Sequence, residues 1–244
     1  MADKLIPMDR AYREKNYPNG YFAAMAKSER GLSIAAIICG AVLALIGLGI
    51  FGLEAKSAVS GSFDLANGDI STVIIITVIA LIFLLPGILL IRTGIRRMKM
   101  GEDDWIKKFA DKSDYPVSTI REFANQAMED ESIQIHFGAT NIKGILTREF
   151  ICITHVMKIE DITGAYLVET SYNTNANGKS KTSYNNNIAI FSNHKTYMLA
   201  VAREDTVRQL LEMLTRKNPS IDTAGGRMLK ESEYFKMEKE FRKA

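Results

Sequence analysis

Few side chains in this sequence are equipped for metal or nucleophilic chemistry: Cys39, Cys152, His136, His155 and His194. Metal sets and Cys/His nucleophile pairs need particular spacings, and here two residues separate Cys152 from His155 across a strand end rather than along a helix. Cys152 therefore reads as a packed thiol and the imidazoles as surface groups. Gly178-Lys179-Ser180 has the ending of a phosphate-binding loop, yet the motif's first glycine would fall at Asn173 and no helix pattern follows the serine. The neighbouring carboxylates Glu160-Asp161 and Glu204-Asp205 point apart, as adjacent residues do, and suit solvation or helix capping rather than acid/base work. No Gly-x-Ser-x-Gly elbow occurs. These residues lead to the expectation of a non-enzyme with no catalytic residue, metal or cofactor.

A second polar concentration is Asn173 to Asn187, NTNANGKSKTSYNNN, between two strand patterns. Asn and Gly tolerate turn conformations, so the segment is expected as a solvated hairpin loop. As a contact surface it would offer Asn177, Lys179 and Lys181 to a partner.

Charge and hydropathy bear on the setting. The 244 residues carry 31 Lys+Arg against 28 Asp+Glu, and 47% are hydrophobic. That average hides two apolar stretches: Leu32 to Leu53, with Ser33 and Cys39 as its exceptions, and Val73 to Ile91, with Thr77. Twenty-two helical residues rise about 33 Å and nineteen about 28 Å, against roughly 30 Å of hydrocarbon. A cleaved signal peptide is the alternative for the first stretch, but its apolar run is longer than the usual 7 to 15 or so residues of such signals. Lys4, Arg10, Arg13, Lys15, Lys27 and Arg30 precede the first span, and Arg92, Arg96, Arg97, Lys99, Lys107 and Lys108 follow the second. The connection between them has only Lys56. Cationic flanks stay on the cytoplasmic side, so both termini are expected in the cytoplasm of a multi-pass cell-membrane protein. Reduced thiols follow for that compartment, and two Cys exclude a disulfide scaffold.

Within the first span Ala36, Gly40 and Ala44 repeat every four residues as a helix-packing ridge. The ridge joins the two spans or, alternatively, a homo-oligomer through the first helix. Pro86 and Gly87 are expected to bend the second span. Neither apolar core holds an Asp, Glu, Lys, Arg or His, which argues against a channel or transporter. Residues 101–244 contain 20 Lys+Arg and 21 Asp+Glu, so the basic excess lies beside the membrane, where anionic lipids are the expected partners. No basic stripe interleaved with aromatics marks a nucleic-acid surface.

After the spans the periods change. Trp105, Ile106 and Phe109 behind Glu102-Asp103-Asp104, and Val117, Ile120, Phe123, Ala124, Ala127 and Met128 after Pro116, predict two short helices. Alternation then predicts strands at 132–137, 142–147, 150–154, 156–159, 164–172, 188–192 and 195–201. A helix over Arg203 to Lys217 buries Val207, Leu210, Leu211 and Leu214. The organisation expected is an interfacial arm over 1–31, spans at 32–53 and 73–95 joined by an external loop at 54–72, a helical stem over 96–130, a β-rich domain over 131–218 and a charged helical tail over 219–244.

The phrases GILTREFICIT, IEDITGAYL and KTYMLAV, followed by the leucine-rich helix, resemble the bacterial pleckstrin-homology-like (PH-like) domains of small membrane proteins with a transmembrane hairpin. The resemblance covers residues 132–217 and the hairpin. It implies an α+β membrane protein whose PH-like β-sandwich or partly open barrel of about seven strands is capped by one C-terminal helix, serving lipid, peptide or protein binding. Phosphoinositide-binding relatives place basic residues in the loop joining the first two strands, where this chain offers Lys143. The expected role is a binding or scaffolding module at the inner membrane surface, as an accessory subunit of a membrane complex. An enzyme acting on a lipid substrate and a ligand-responsive membrane sensor are the alternatives.

Overall fold

The computed structural model describes residues 4–59, 70–138, 142–176, 179–193, 195–201 and 203–243. In chain order its elements are β1 (Lys4–Pro7), α1 (Arg10–Asn16), α2 (Tyr21–Val59), α3 (Ile70–Met98), α4 (Glu102–Ser113), α5 (Val117–Gln126), β2 (Ile133–Phe137), β3 (Ile142–Leu146), β4 (Phe150–Cys152), β5 (Val156–Lys158), β6 (Ile162–Ala176), β7 (Lys179–Ser192), β8 (Lys195–Val201), α6 (Glu204–Lys217), β9 (Met228–Lys230) and α7 (Glu231–Phe241). The chain is α+β, with two sheets and two long apolar helices, and divides into two compact units, Phe22–Trp105 and Met1–Tyr21 with Ile106–Ala244.

In the first of these units α2 and α3 are each long and apolar enough to cross a membrane. Both helices continue past the apolar stretches that define them in the sequence, and α3 runs through Pro86 as one helix. Their contact is made by small residues. A β-carbon built on Gly40 would stand 2.7 Å from Gly87 O, and one on Gly87 2.7 Å from Ala44 N. Gly47 likewise meets Ala80 O at 2.8 Å, and Gly94 meets Ser33 O at 2.9 Å. Gly40 and Ala44 of the ridge thus serve contact within the chain, while Ala36 is half-buried. Ser33 is buried and its hydroxyl is satisfied by donating back to Glu29 O at 2.8 Å, while the Glu29 carboxylate lies 3.9 Å from Arg97. Outward positions such as Leu32, Leu45, Leu53, Ile74, Ile82 and Leu89 are exposed aliphatics.

The other unit holds two antiparallel meanders. One sheet has the order β1-β2-β3-β4-β5 and the other β8-β7-β6-β9, with β9 parallel to β6. Ile135, Phe137, Leu146 and Ile151 from the first sheet, Ala165, Leu167, Ile188 and Ile190 from the second, and Val207, Leu210, Leu211 and Leu214 of α6 form one core. The amphipathic period of α6 puts those four on one face, with Glu204 and Asp205 in the first turn and Arg216 and Lys217 in the last. β6 is apolar on both faces, since Tyr166 and Val168 point away from that core into a second one with Ala189, Phe191, Leu229 and Tyr234.

Both ends of the chain enter the β-rich unit. The residues read as an interfacial arm include β1, which pairs with β2 from Lys4↔His136 to Pro7↔Ile133, and α1, which follows the Asp9 cap. Tyr12 and Tyr17 both donate to the buried Gln134 Oε1 at 2.8 Å, so these rings find their partner in the sheet. The 219–244 tail is likewise part of the fold: Met228–Lys230 forms β9, and Tyr234 of α7 is buried in the second core. Replacing Gln134 by Leu leaves the Tyr17 hydroxyl without its acceptor, and a loss of about 1–3 kcal/mol is expected in denaturant titration.

Candidate functional site

The main difference from the sequence reading lies at the Asn-rich segment. It is not a loop: β6 and β7 pair in one register from Gly164↔Phe191 to Ala176↔Lys179, past a shift that follows Ile162↔Ser192, so residues 173–187 lie mostly within two strands. Asn is a poor strand former, but Thr170, Tyr172, Thr182 and Tyr184 supply β-branched and aromatic positions, and cross-strand bonds help. Thr182 donates to Asn173 Oδ1 at 2.9 Å, and the buried Asn187 side chain donates to Thr170 Oγ1 at 2.8 Å.

β8 covers β7 only between Asn186 and Ser192, and β9 covers β6 only at Leu167–Glu169. The two long strands therefore extend past both neighbours as an arm. At its foot is a groove of about 590 Å³, lined by Glu169, Ser171, Tyr184, Lys230, Glu231 and Phe235 among others. Of the predicted contact residues, Lys179 and Lys181 stand on β7 in this arm, opposite Ala176 and Thr174. Asn177 lies outside the described residues. Lys143 is exposed on β3 opposite His136, in the other sheet, so the structure does not bring it together with the arm's lysines.

Cys152, His155, Glu160 and Asp161 have structural partners. Cys152 is buried with its sulfur 3.9 Å from the Tyr21 hydroxyl, and burial pushes its thiol up to about 12. His155 instead meets Thr154 Oγ1 at 2.7 Å and packs on the Tyr197 ring at 4.6 Å. Glu160 takes Lys158 at 3.0 Å, whereas Asp161 accepts from Tyr115 and from Asn193 at 3.3 Å. Burial, reinforced by that carboxylate, raises the Tyr115 phenol well above its ordinary range. A second cleft of about 340 Å³ contains Arg148, Lys158 and Lys217, but Arg148 and Lys158 are paired with Glu149 and Glu160. Among the described residues no three His, Cys, Asp or Glu side chains converge as a metal set.

His155 makes one pH effect readable. Partial burial, and then the nearby Lys112, lower its pKa from the ordinary 6.5. Below about 6.5 the unfolded chain therefore binds a proton that the folded chain resists, so this contribution is present above that pH and lost as pH falls through it. Thermal unfolding midpoints measured across this range are expected to drop less in His155→Gln than in the parent.

Comparison with protein-family models, with curated proteins and with solved structures finds no match to this chain.

Proposed function

We propose that this chain is an integral membrane protein in which a two-helix hairpin holds a PH-like module at the cytoplasmic face of the cell membrane, where the module binds a protein or lipid partner. The observation that carries the membrane setting is the outward surface of α2 and α3. Large aliphatics are exposed along both helices while the small residues meet inside, the reverse of a water-soluble helix pair. The cations before α2 and after α3 favour cytoplasmic termini. The PH-like reading is supported by the order of elements: four meandering strands β2–β5, three more β6–β8, then one amphipathic helix whose leucines enter the shared core. Binding is the role that an arm projecting past its own sheet serves best.

The test is crosslinking and copurification from native membranes, comparing the intact protein with one in which residues 173–182 are replaced by Asn-Gly. The register keeps Tyr172 and Ser183 paired across that turn. One stoichiometric partner lost with the arm is the expected result. A partner retained without the arm would move the contact elsewhere, and no partner for the intact chain would contradict a protein-binding module and leave a lipid ligand to be tested.

A further inference from the structure

The four-stranded sheet ends unevenly around the arm. β9 leaves β6 after Glu169↔Lys230 and the chain enters α7. Odd-numbered amides of β6 face this edge: Ala165 N donates to Asp222 O, and Ser171 N donates to a Glu231 carboxylate oxygen at 3.2 Å. Glu231 thus supplies an acceptor where the strand ladder stops. From Thr170 to Ala176 no strand pairs with that edge among the described residues, although the other edge of β6 stays paired to β7. Seven residues are enough to seat an added strand of ordinary length. In the groove beside this edge Tyr184 is 64% exposed and Phe235 50%.

The residue types identify the occupant. An unpaired strand edge is completed by another extended backbone, whose alternate side chains point the same way. Glu169 and Glu231 against Lys230 leave the groove with net negative charge, and aromatic faces attract a cation while covering its methylene stem. We propose that the β6 edge from Thr170 to Ala176 docks an extended segment of a partner protein bearing Lys or Arg, which adds as a strand and lays its cationic side chain in the groove of Glu169, Glu231, Tyr184 and Phe235. This rests on the binding-module reading and gives the partner its chemistry.

The probe is a blocked peptide alternating Thr and Lys, Thr-Lys-Thr-Lys-Thr-Lys-Thr, with its Glu counterpart as control, added to the 244-residue chain in detergent micelles. Amide exchange within Thr170–Ala176 is expected to slow about tenfold with the Lys peptide alone. Glu169→Lys and Phe235→Ala are each expected to weaken that binding by about fivefold or more while thermal midpoints stay unchanged. No protection at millimolar peptide, equal protection by both peptides, or indifference to both substitutions overturns the inference. Protection that rises with protein concentration and without peptide overturns it too, assigning the edge to a second copy. In the copurification experiment, a partner lost with the shortened arm but kept by both substitutions would refute the groove alone. No partner for the intact chain would refute the protein-binding form of the underlying reading.

Discussion

Replacing Phe123 by alanine is expected to destabilise the β-rich unit by about 3–5 kcal/mol, the range for deleting a buried aromatic ring. Phe123 is fully buried on α5, edge-on to Tyr21 at 5.4 Å and to Phe150 at 6.1 Å. It joins three distant parts of the chain, so its loss leaves a cavity that no single neighbour can fill. Tyr21 is also the first residue of α2, and its hydroxyl reaches Cys152. Against a domain stability of about 5–15 kcal/mol the change is large enough to lower the yield of folded protein. Denaturant titration of the full chain is the check, with Phe123→Leu expected to lose less. A loss below about 1 kcal/mol for Phe123→Ala would mean that the three aromatics do not share a packed core.

The second large effect is expected at the helix pair. Gly87→Val puts a branched side chain where even a β-carbon stands 2.7 Å from Ala44 N and 2.8 Å from Gly40 O, both backbone atoms that cannot rotate away. The helices must separate, and overpacking of this kind costs about 1–3 kcal/mol or more. Gly49 has nothing within 4 Å of its β-carbon position, so Gly49→Val is the matched control and should leave the pair intact. Titration with a denaturing detergent, followed by proximity of labels on α2 and α3, distinguishes the two. Equal sensitivity of both variants would contradict the packing.

These two positions also show what was legible in the sequence. The small-residue ridge at Gly40 and Ala44 was visible because helical spacing puts such residues on one line, and Gly87 stood out beside Pro86. Helix α6 and most strands were equally plain, since their periods are local. β1 was not, because four residues ending in Pro7 show no period and their partner β2 lies more than a hundred residues away. β9 is three residues long and was submerged in an apparently helical stretch. Polar composition concealed the arm, where cross-strand pairing overrides the low strand preference of Asn. The groove draws residues from the arm, β9 and α7, so neither Glu169 nor Phe235 carries a local mark of its place there. Tyr12 and Tyr17 looked suited to a membrane interface, and only the fold reveals Gln134 as their common acceptor.

The proposed arrangement has a bilayer-embedded hairpin presenting the β-rich unit on one side of a membrane. Its most direct test is thiol labelling of sealed membrane vesicles of known orientation, in a Cys39→Ser background where Cys152 is shielded by burial. Lys56→Cys and Lys236→Cys, both at exposed positions, report on the last turn of α2 and on α7. The account predicts that the protein resists an alkaline carbonate wash and that an impermeant maleimide reaches position 56 only from the external side and position 236 only from the cytoplasmic side. Release by carbonate, or labelling of both positions from the same side, would contradict it.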